Sequence, residues 1–136
     1  MAGYSKTPLI QKLGIKPGFK IFFLNTPEDY AKSLGPLSLG VEVLARPKLP
    51  MDFIQGFFKD KKTYEKSLPG LKKVLAPNGM IWVCWPKAAS KVPTDLTESG
   101  VRNFGLKCGL VDVKVCAVDE IWSGLKFVIP VKDREK

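Results

Sequence analysis

Met80 to Trp85 is an unbroken apolar run, set off by Pro77-Asn78-Gly79 before it and Pro86-Lys87 after it. A run of that length between turn residues reads as a strand covered on both faces, which demands a layer of structure on each side. Leu71 to Ala76 reads as the end of a helix, and Pro77-Asn78-Gly79 as a tight turn that feeds the strand. Helix, turn, buried strand and polar exit make half of an α/β unit, and the rest of the chain can be placed around Leu71 to Lys87.

Upstream, Leu9, Ile10, Leu13 and Ile15 suit one helical turn, which Gly14 and Pro17 keep short. Phe19 to Asn25 reads as a first buried strand. Thr26-Pro27-Glu28-Asp29 then reads as a helix start, with Thr26 as N-cap, Pro27 at the first helical position and the acids in the first turn, and Gly35-Pro36 ends that helix. Val41 to Arg46 is a second strand; Glu42 and Pro47 mark it as a sheet edge. Asp52 to Phe58 is a third, buried strand. A helix over 61–75 follows, with Tyr64, Leu68, Leu71 and Leu75 on one face and a kink expected at Pro69-Gly70.

Beyond the central strand, Asp95-Leu96-Thr97-Glu98 reads as a capping box that starts a helix running to about Lys107. Val111 to Ala117 alternates strictly, as an edge strand does. Residues 119–124 read as a turn, and Leu125 to Val131 as the last, inner strand. The pattern predicts one domain: an arm over 1–18, an α/β core over 19–131 and a charged tail over 132–136.

Composition narrows the chemistry. The chain has no histidine, which removes His-based triads and the commonest general base. Its three cysteines form no C-x-x-C pair and read as reduced core residues, not metal ligands. No apolar run approaches the roughly 18–20 residues that span a bilayer, and Met1 to Gly18 lacks a secretory apolar region, so the cytoplasm and no membrane partner are expected. The net charge is +9, yet only Arg46, Arg102 and Arg134 of the 22 basic residues are arginines. A lysine coat reads first as a solvated surface, with nucleic-acid binding as the weaker alternative.

The order of elements resembles the class I methyltransferases. The resemblance rests on the helix end Leu75-Ala76-Pro77-Asn78-Gly79, the buried strand after it, and the helix and paired strands over 95–131. It implies a three-layer, Rossmann-like, mostly parallel sheet of about six strands with a C-terminal antiparallel hairpin, in the order second, first, third, fourth, sixth, fifth. One junction strains this. Only Pro47 to Met51 separates the second and third strands, where a parallel crossover usually takes a dozen or more residues, so the second strand runs either parallel with an extended crossover or antiparallel. The chain also resembles a family of small bacterial proteins catalogued as domain of unknown function 3052. That resemblance runs from Gly3-Tyr4-Ser5-Lys6-Thr7-Pro8-Leu9 to the last strand and is most specific over Trp85 to Glu98 and Gly109 to Lys126. It implies a fold and leaves the chemistry to the residues.

S-adenosylmethionine binding in the methyltransferase fold uses a glycine-rich turn after the first strand and an acid after the second. Here the first turn, Leu24 to Tyr30, has no glycine, Pro27 removes a donor, and Arg46-Pro47 stands where the acid is expected. The expectation is therefore a non-enzymatic ligand-binding or regulatory domain on a degenerate methyltransferase-like fold, with no cofactor. The alternatives are a methyltransferase with an atypical cofactor loop, an enzyme using Asp119 as base, and a nucleic-acid-associated basic protein. Ligands of open α/β sheets sit beyond the carboxyl ends of the strands. That edge gathers Asn25, Thr26, Glu28, Lys59, Trp85, Lys87, Ser90, Asp119 and Trp122 as candidate ligand-binding residues, with Lys61, Ser123 and an arm residue among Tyr4, Ser5 and Lys6 nearby. Two indoles beside lysines suit a flat anionic molecule such as a nucleotide or phosphorylated metabolite. Each residue also has a plain structural role: Thr26 and Asp95 as caps, the tryptophans as packing, Lys87 and Lys91 as solvated charge. The exposed sheet edges offer a protein partner a pairing site.

Overall fold

A computed structural model describes residues 8–134; Tyr4, Ser5 and Lys6 lie outside them. The elements are α1 (Leu9–Leu13), β1 (Lys20–Leu24), α2 (Tyr30–Leu34), β2 (Glu42–Val43), β3 (Met51–Phe57), α3 (Lys61–Lys73), β4 (Leu75–Pro86), α4 (Glu98–Lys107), β5 (Val111–Ala117) and β6 (Trp122–Val128), with short 3₁₀ turns at Ala88–Ser90 and Val131–Asp133. The six strands form one sheet in the order β2-β1-β3-β4-β6-β5. β2, β1, β3 and β4 are parallel, and β6 is antiparallel to both β4 and β5. This is the predicted three-layer α/β sheet with its C-terminal antiparallel hairpin.

β4 lies inside the sheet, as its composition requires. Ile81, Val83 and Trp85 face one apolar layer, with Tyr64, Leu68 and Leu71 of α3 and Val101 of α4. Met80, Trp82 and Cys84 face the other, with Leu13 of α1 and Tyr30 and Leu34 of α2. Trp82 is fully buried, and its indole N–H donates to the Leu13 carbonyl at 2.9 Å, so its polar atom is satisfied. Gly124 of β6 makes room for it: a Cβ there would stand 3.1 Å from the Trp82 ring. Gly105 of α4 does the same for Phe127, whose ring occupies the space that a Cβ would need.

Several boundaries differ from the sequence reading. β2 is parallel to β1 but only Glu42 and Val43 pair, opposite Lys20 and Ile21. Because so short a strand advances little, the return through Leu44 to Pro50 needs no helix, and an extended crossover suffices. Pro77-Asn78-Gly79 is not a tight turn. α3 ends at Lys73, and Met51 pairs with Leu75 while Phe53 pairs with Met80, so residues 76–79 bulge out of one long strand. Gly79 is needed inside that bulge, where a Cβ would lie 2.7 Å from the Met51 carbonyl oxygen. α3 runs through Pro69 without a break. Trp122, Ser123 and Gly124 belong to β6 instead of the turn, because the Asp119 carboxylate accepts the Ile121 and Trp122 amides, both at 2.8 Å, and closes the turn early.

β2 and β5 are the edges, as predicted. The alternation of β5 is broken, however. Asp112 pairs with Phe127 and Lys114 with Lys126, so Val113 is an extra, bulged residue, 51% exposed. Among the described residues, no helix is long and apolar enough to cross a membrane.

A Gly105→Ala substitution is expected to destabilise the fold by about 1–3 kcal/mol through overpacking against Phe127. Gly70→Ala, where nothing lies within 4 Å, is expected to stabilise it by about 0.4–1 kcal/mol. Urea unfolding of the two variants checks the pair; equal effects would contradict the packing described.

Candidate functional site

The parallel strands β1 and β3 point their carboxyl ends at the same rim, on either side of the place where strand order reverses. A cleft of about 540 Å³ opens there, within the usual range of small-molecule sites. Asn25, Thr26, Pro27 and Glu28 form one wall, from the turn after β1. Phe57, Phe58, Lys59, Asp60 and Thr63 form the floor and a second wall, from the end of β3 and the start of α3. Ile121 of the β5–β6 turn and Trp122 at the start of β6 close it, with Val92 from the loop after β4.

Asn25 shapes the first wall. Its φ is +57°, in the left-handed region that glycine usually supplies, and asparagine is among the few other residues that enter it readily. Its side-chain amide donates to the Phe57 carbonyl at 3.2 Å, which ties the end of β1 to the end of β3. The next helix starts later than the sequence suggests: α2 begins at Tyr30 and Asp29 precedes it, so Thr26 is not its cap but an exposed cleft residue.

A polar network lies beneath the floor. The Tyr30 hydroxyl donates to Gln55 Oε1 at 2.7 Å, and Gln55 Nε2 donates to Cys84 Sγ at 3.4 Å. Gln55 is fully buried, so these bonds satisfy its amide. Burial raises the Tyr30 hydroxyl well above the ordinary phenol range and pushes the Cys84 thiol up to about 12. Both are neutral structural groups. Burial also raises the Cys108 and Cys116 thiols, so no cysteine has the lowered pKa of a nucleophile. Above the network, Tyr30, Phe57 and Trp122 stack edge to face, with centroids 4.8 and 5.1 Å apart.

Of the candidate residues, Asn25, Thr26, Glu28, Lys59 and Trp122 line this cleft, and Trp122 does so as a largely buried packing residue. The others do not join them. Trp85 is buried and lines a separate groove of about 510 Å³ with Lys91, Pro93, Thr94 and Leu96. Lys87 and Ser90 line neither space. The Lys87 amide donates to the Ile121 carbonyl, and the Ser90 hydroxyl donates to the Lys87 carbonyl at 2.7 Å, so both shape the 3₁₀ turn. Asp119 accepts two backbone amides in its own turn, which is a structural duty and leaves it off the cleft wall. Lys61 lies within 4.0 Å of Glu65 on the exposed side of α3.

The sequence reading missed Asp60, Thr63, Phe57, Phe58 and Val92. Asp60 caps α3, accepting the Thr63 amide at 2.8 Å, and that bond holds its carboxyl below the usual range. Its position before a helical run was the signal available. Asp95 does not cap α4, which starts at Glu98 with Thr97 as N-cap. Instead its carboxylate accepts the Lys61 amide at 2.7 Å, so the loop after β4 is fastened to the start of α3. Among the described residues, no group of acids and cysteines is arranged to hold a metal.

No family model matches the chain, and a search of curated proteins finds no match. Solved structures do match. A SAM-dependent methyltransferase from Aquifex aeolicus superposes over 90% of this chain and 88% of its own, with a TM-score of 0.59 at 18% identity. A TehB-like SAM-dependent methyltransferase from Corynebacterium glutamicum covers 95% and 91%, with a TM-score of 0.57 at 10% identity. Magnesium protoporphyrin IX methyltransferase from Synechocystis, solved with bound SAH, covers 90% and 78%, with a TM-score of 0.61 at 9% identity. At these identities the likeness is one of fold. It corrects two expectations: that the protein takes no cofactor, and that it is a non-enzymatic binding domain. Each of these three structures is a methyltransferase, which weighs against both expectations. Asn25 places a left-handed residue in the turn after β1 without glycine.

Asn25→Gly loses the bond to Phe57 but relieves the left-handed backbone, so it should stay within about 1 kcal/mol of the parent, whereas Asn25→Val, which loses the bond and holds a β-branched residue at positive φ, should cost roughly 1–2 kcal/mol more than the glycine variant. Chemical denaturation distinguishes them; equal stabilities would contradict the strained turn. The lowered Asp60 pKa makes its contribution to stability present above the unfolded carboxyl value of about 3.9 and lost as pH falls through the folded value. The Tm of the parent should therefore drop further than that of Asp60→Asn as pH is taken from 7 to below about 4.

Proposed function

We propose that the protein binds S-adenosylmethionine in the cleft between the ends of β1 and β3 and transfers its methyl group. One observation carries the reading: the cleft sits at the point of strand reversal in a sheet of methyltransferase order, bordered by a left-handed turn after β1. The cofactor is a nucleoside joined to an amino acid, and the lining suits both parts. Phe57, Phe58, Val92 and Trp122 give apolar surface for a flat ring. Glu28 is an exposed carboxylate on the wall, able to accept hydrogen bonds from sugar hydroxyls in place of the acid absent after β2. Lys59, exposed at the end of β3, pairs with a carboxylate. Asp60 is engaged as a helix cap and orients the α3 end of the cleft.

The cofactor, when bound, supplies an electrophilic methyl group. The chain's own part is to hold and orient it. Asn25 fixes the distance between the two walls through its bond to Phe57, and the buried Tyr30–Gln55–Cys84 network keeps the floor from shifting.

Isothermal titration with S-adenosylmethionine and S-adenosylhomocysteine tests this. Micromolar binding of both is expected, and Glu28→Gln should weaken it by about tenfold, equivalent to about 1.4 kcal/mol. Absence of binding heat, together with no rise in Tm at millimolar ligand, would overturn the proposal.

A further inference from the structure

The hairpin at the outer edge of the sheet carries an arrangement of charge that folding alone does not favour. Lys114 of β5 stands directly opposite Lys126 of β6. Residues so placed share a face, with Cβ atoms about 4.5–5.5 Å apart, and like charges there destabilise the pair. The nearby acid does not relieve it. In a regular strand Asp112 and Lys114 would share a face. The bulge at Val113 resets the alternation and turns Asp112 toward α4, where Arg102 Nε holds its carboxylate at 2.9 Å.

Two further cations join the lysine pair. Lys16 lies close enough that it and Lys114, after burial itself, help to lower the Lys126 pKa. Lys12 of α1 reaches the same edge, donating to the Ala117 carbonyl at 2.9 Å. Among the described residues, none of these four lysines is in an ion pair. Lys126 is half-buried, and it lies level with Trp82, which α1 covers.

We propose that this face, formed by Lys12, Lys16, Lys114 and Lys126, binds nucleic acid through its phosphates. A polyanion removes the repulsion that the bulge has concentrated, and the net charge of +9 supplies long-range attraction. Lysine meets phosphate as a point charge and reads no base edge, so the binding is independent of sequence and of the sugar. The inference does not rest on methyl transfer, because the binding needs no cofactor.

Fluorescence anisotropy with a labelled single-stranded RNA and the DNA of the same sequence, measured over a range of salt, tests it. Both should bind alike, with the logarithm of affinity falling linearly with that of salt. Lys114→Glu should weaken binding by about tenfold or more at low salt, and removing one lysine–phosphate pair should make the salt slope shallower by about 0.7. The same substitution turns a like-charged pair into an opposite-charged one, so its Tm should rise while its binding falls. Lys126→Met should show the same combination. Lys66→Glu, on the exposed face of α3, controls for net charge and should leave affinity within about twofold of the parent. The proposal is overturned if neither strand binds at low salt, if Lys66→Glu weakens binding as much as Lys114→Glu, or if poly-glutamate competes as well as unlabelled RNA.

Discussion

β3 and β4 are apolar on both faces, and that double burial is what the rest of the molecule answers to. Phe53, Phe57, Trp82 and Cys84 must be covered from one side, and Ile54, Ile81, Val83 and Trp85 from the other. Fully burying a large apolar side chain contributes roughly 1.5–3 kcal/mol, so a sheet left bare on either face would not persist. α3 and α4 cover one face, and α1 and α2 cover the other. With both faces closed by helices, ligand access is left to the strand ends. The cleft is thus a consequence of packing: it lies where β1 and β3 lead to helices on opposite faces.

The cleft depends on small local choices that compensate for unusual sequence. The turn after β1 lacks glycine, and Asn25 accepts the left-handed conformation instead while bonding across to Phe57. The segment between β2 and β3 is too short for a helix, and the fold accommodates it by pairing only Glu42 and Val43. The loop after β4 has no regular structure over residues 91–97, yet it is fastened near its middle to the start of α3, by Asp95 on the Lys61 amide and by the Thr94 hydroxyl donating to the Lys59 carbonyl at 2.6 Å. Asn25, Thr94 and Asp95 each pair a polar side chain with backbone. That is how a chain without a glycine-rich loop holds a defined rim.

The sheet order was legible in sequence because period and burial differ between inner and edge strands. Met80 to Trp85 could only be interior, and Val41 to Arg46 and Val111 to Ala117 carried the marks of edges. Register was less legible. Val-Asp-Val-Lys-Val looks regular, and nothing local announces that Val113 is bulged, because the bulge belongs to the pairing with β6, where Asp112 meets Phe127 and Lys114 meets Lys126. Long-range caps were hidden for a similar reason. Asp95-Leu96-Thr97-Glu98 satisfies a local capping rule, but the carboxylate serves another helix once the loop packs against α3. Asn25, Thr26, Glu28, Lys59 and Trp122 were found because strand ends converge by topology. Trp85, Lys87, Ser90 and Asp119 do not line the cleft: Trp85 packs into the layer under α3 and α4, and the other three lie in turns, where Ser90 and Asp119 bond to local backbone. The expectation of no cofactor turned on the absent glycines after β1 and the absent acid after β2, and the likeness of fold to SAM-dependent methyltransferases is what overturned it.

The central claim, that the cleft at the ends of β1 and β3 is a nucleoside cofactor site, is tested most directly by amide chemical-shift mapping. On titration of the ¹⁵N-labelled protein with S-adenosylhomocysteine, the amides of Asn25, Thr26, Glu28, Lys59 and Trp122 should move together along one saturation curve, while those of Gly105 and Leu106 in α4 stay in place. Shifts confined to Trp85 and residues 91–98, or none at saturating ligand, would contradict the account.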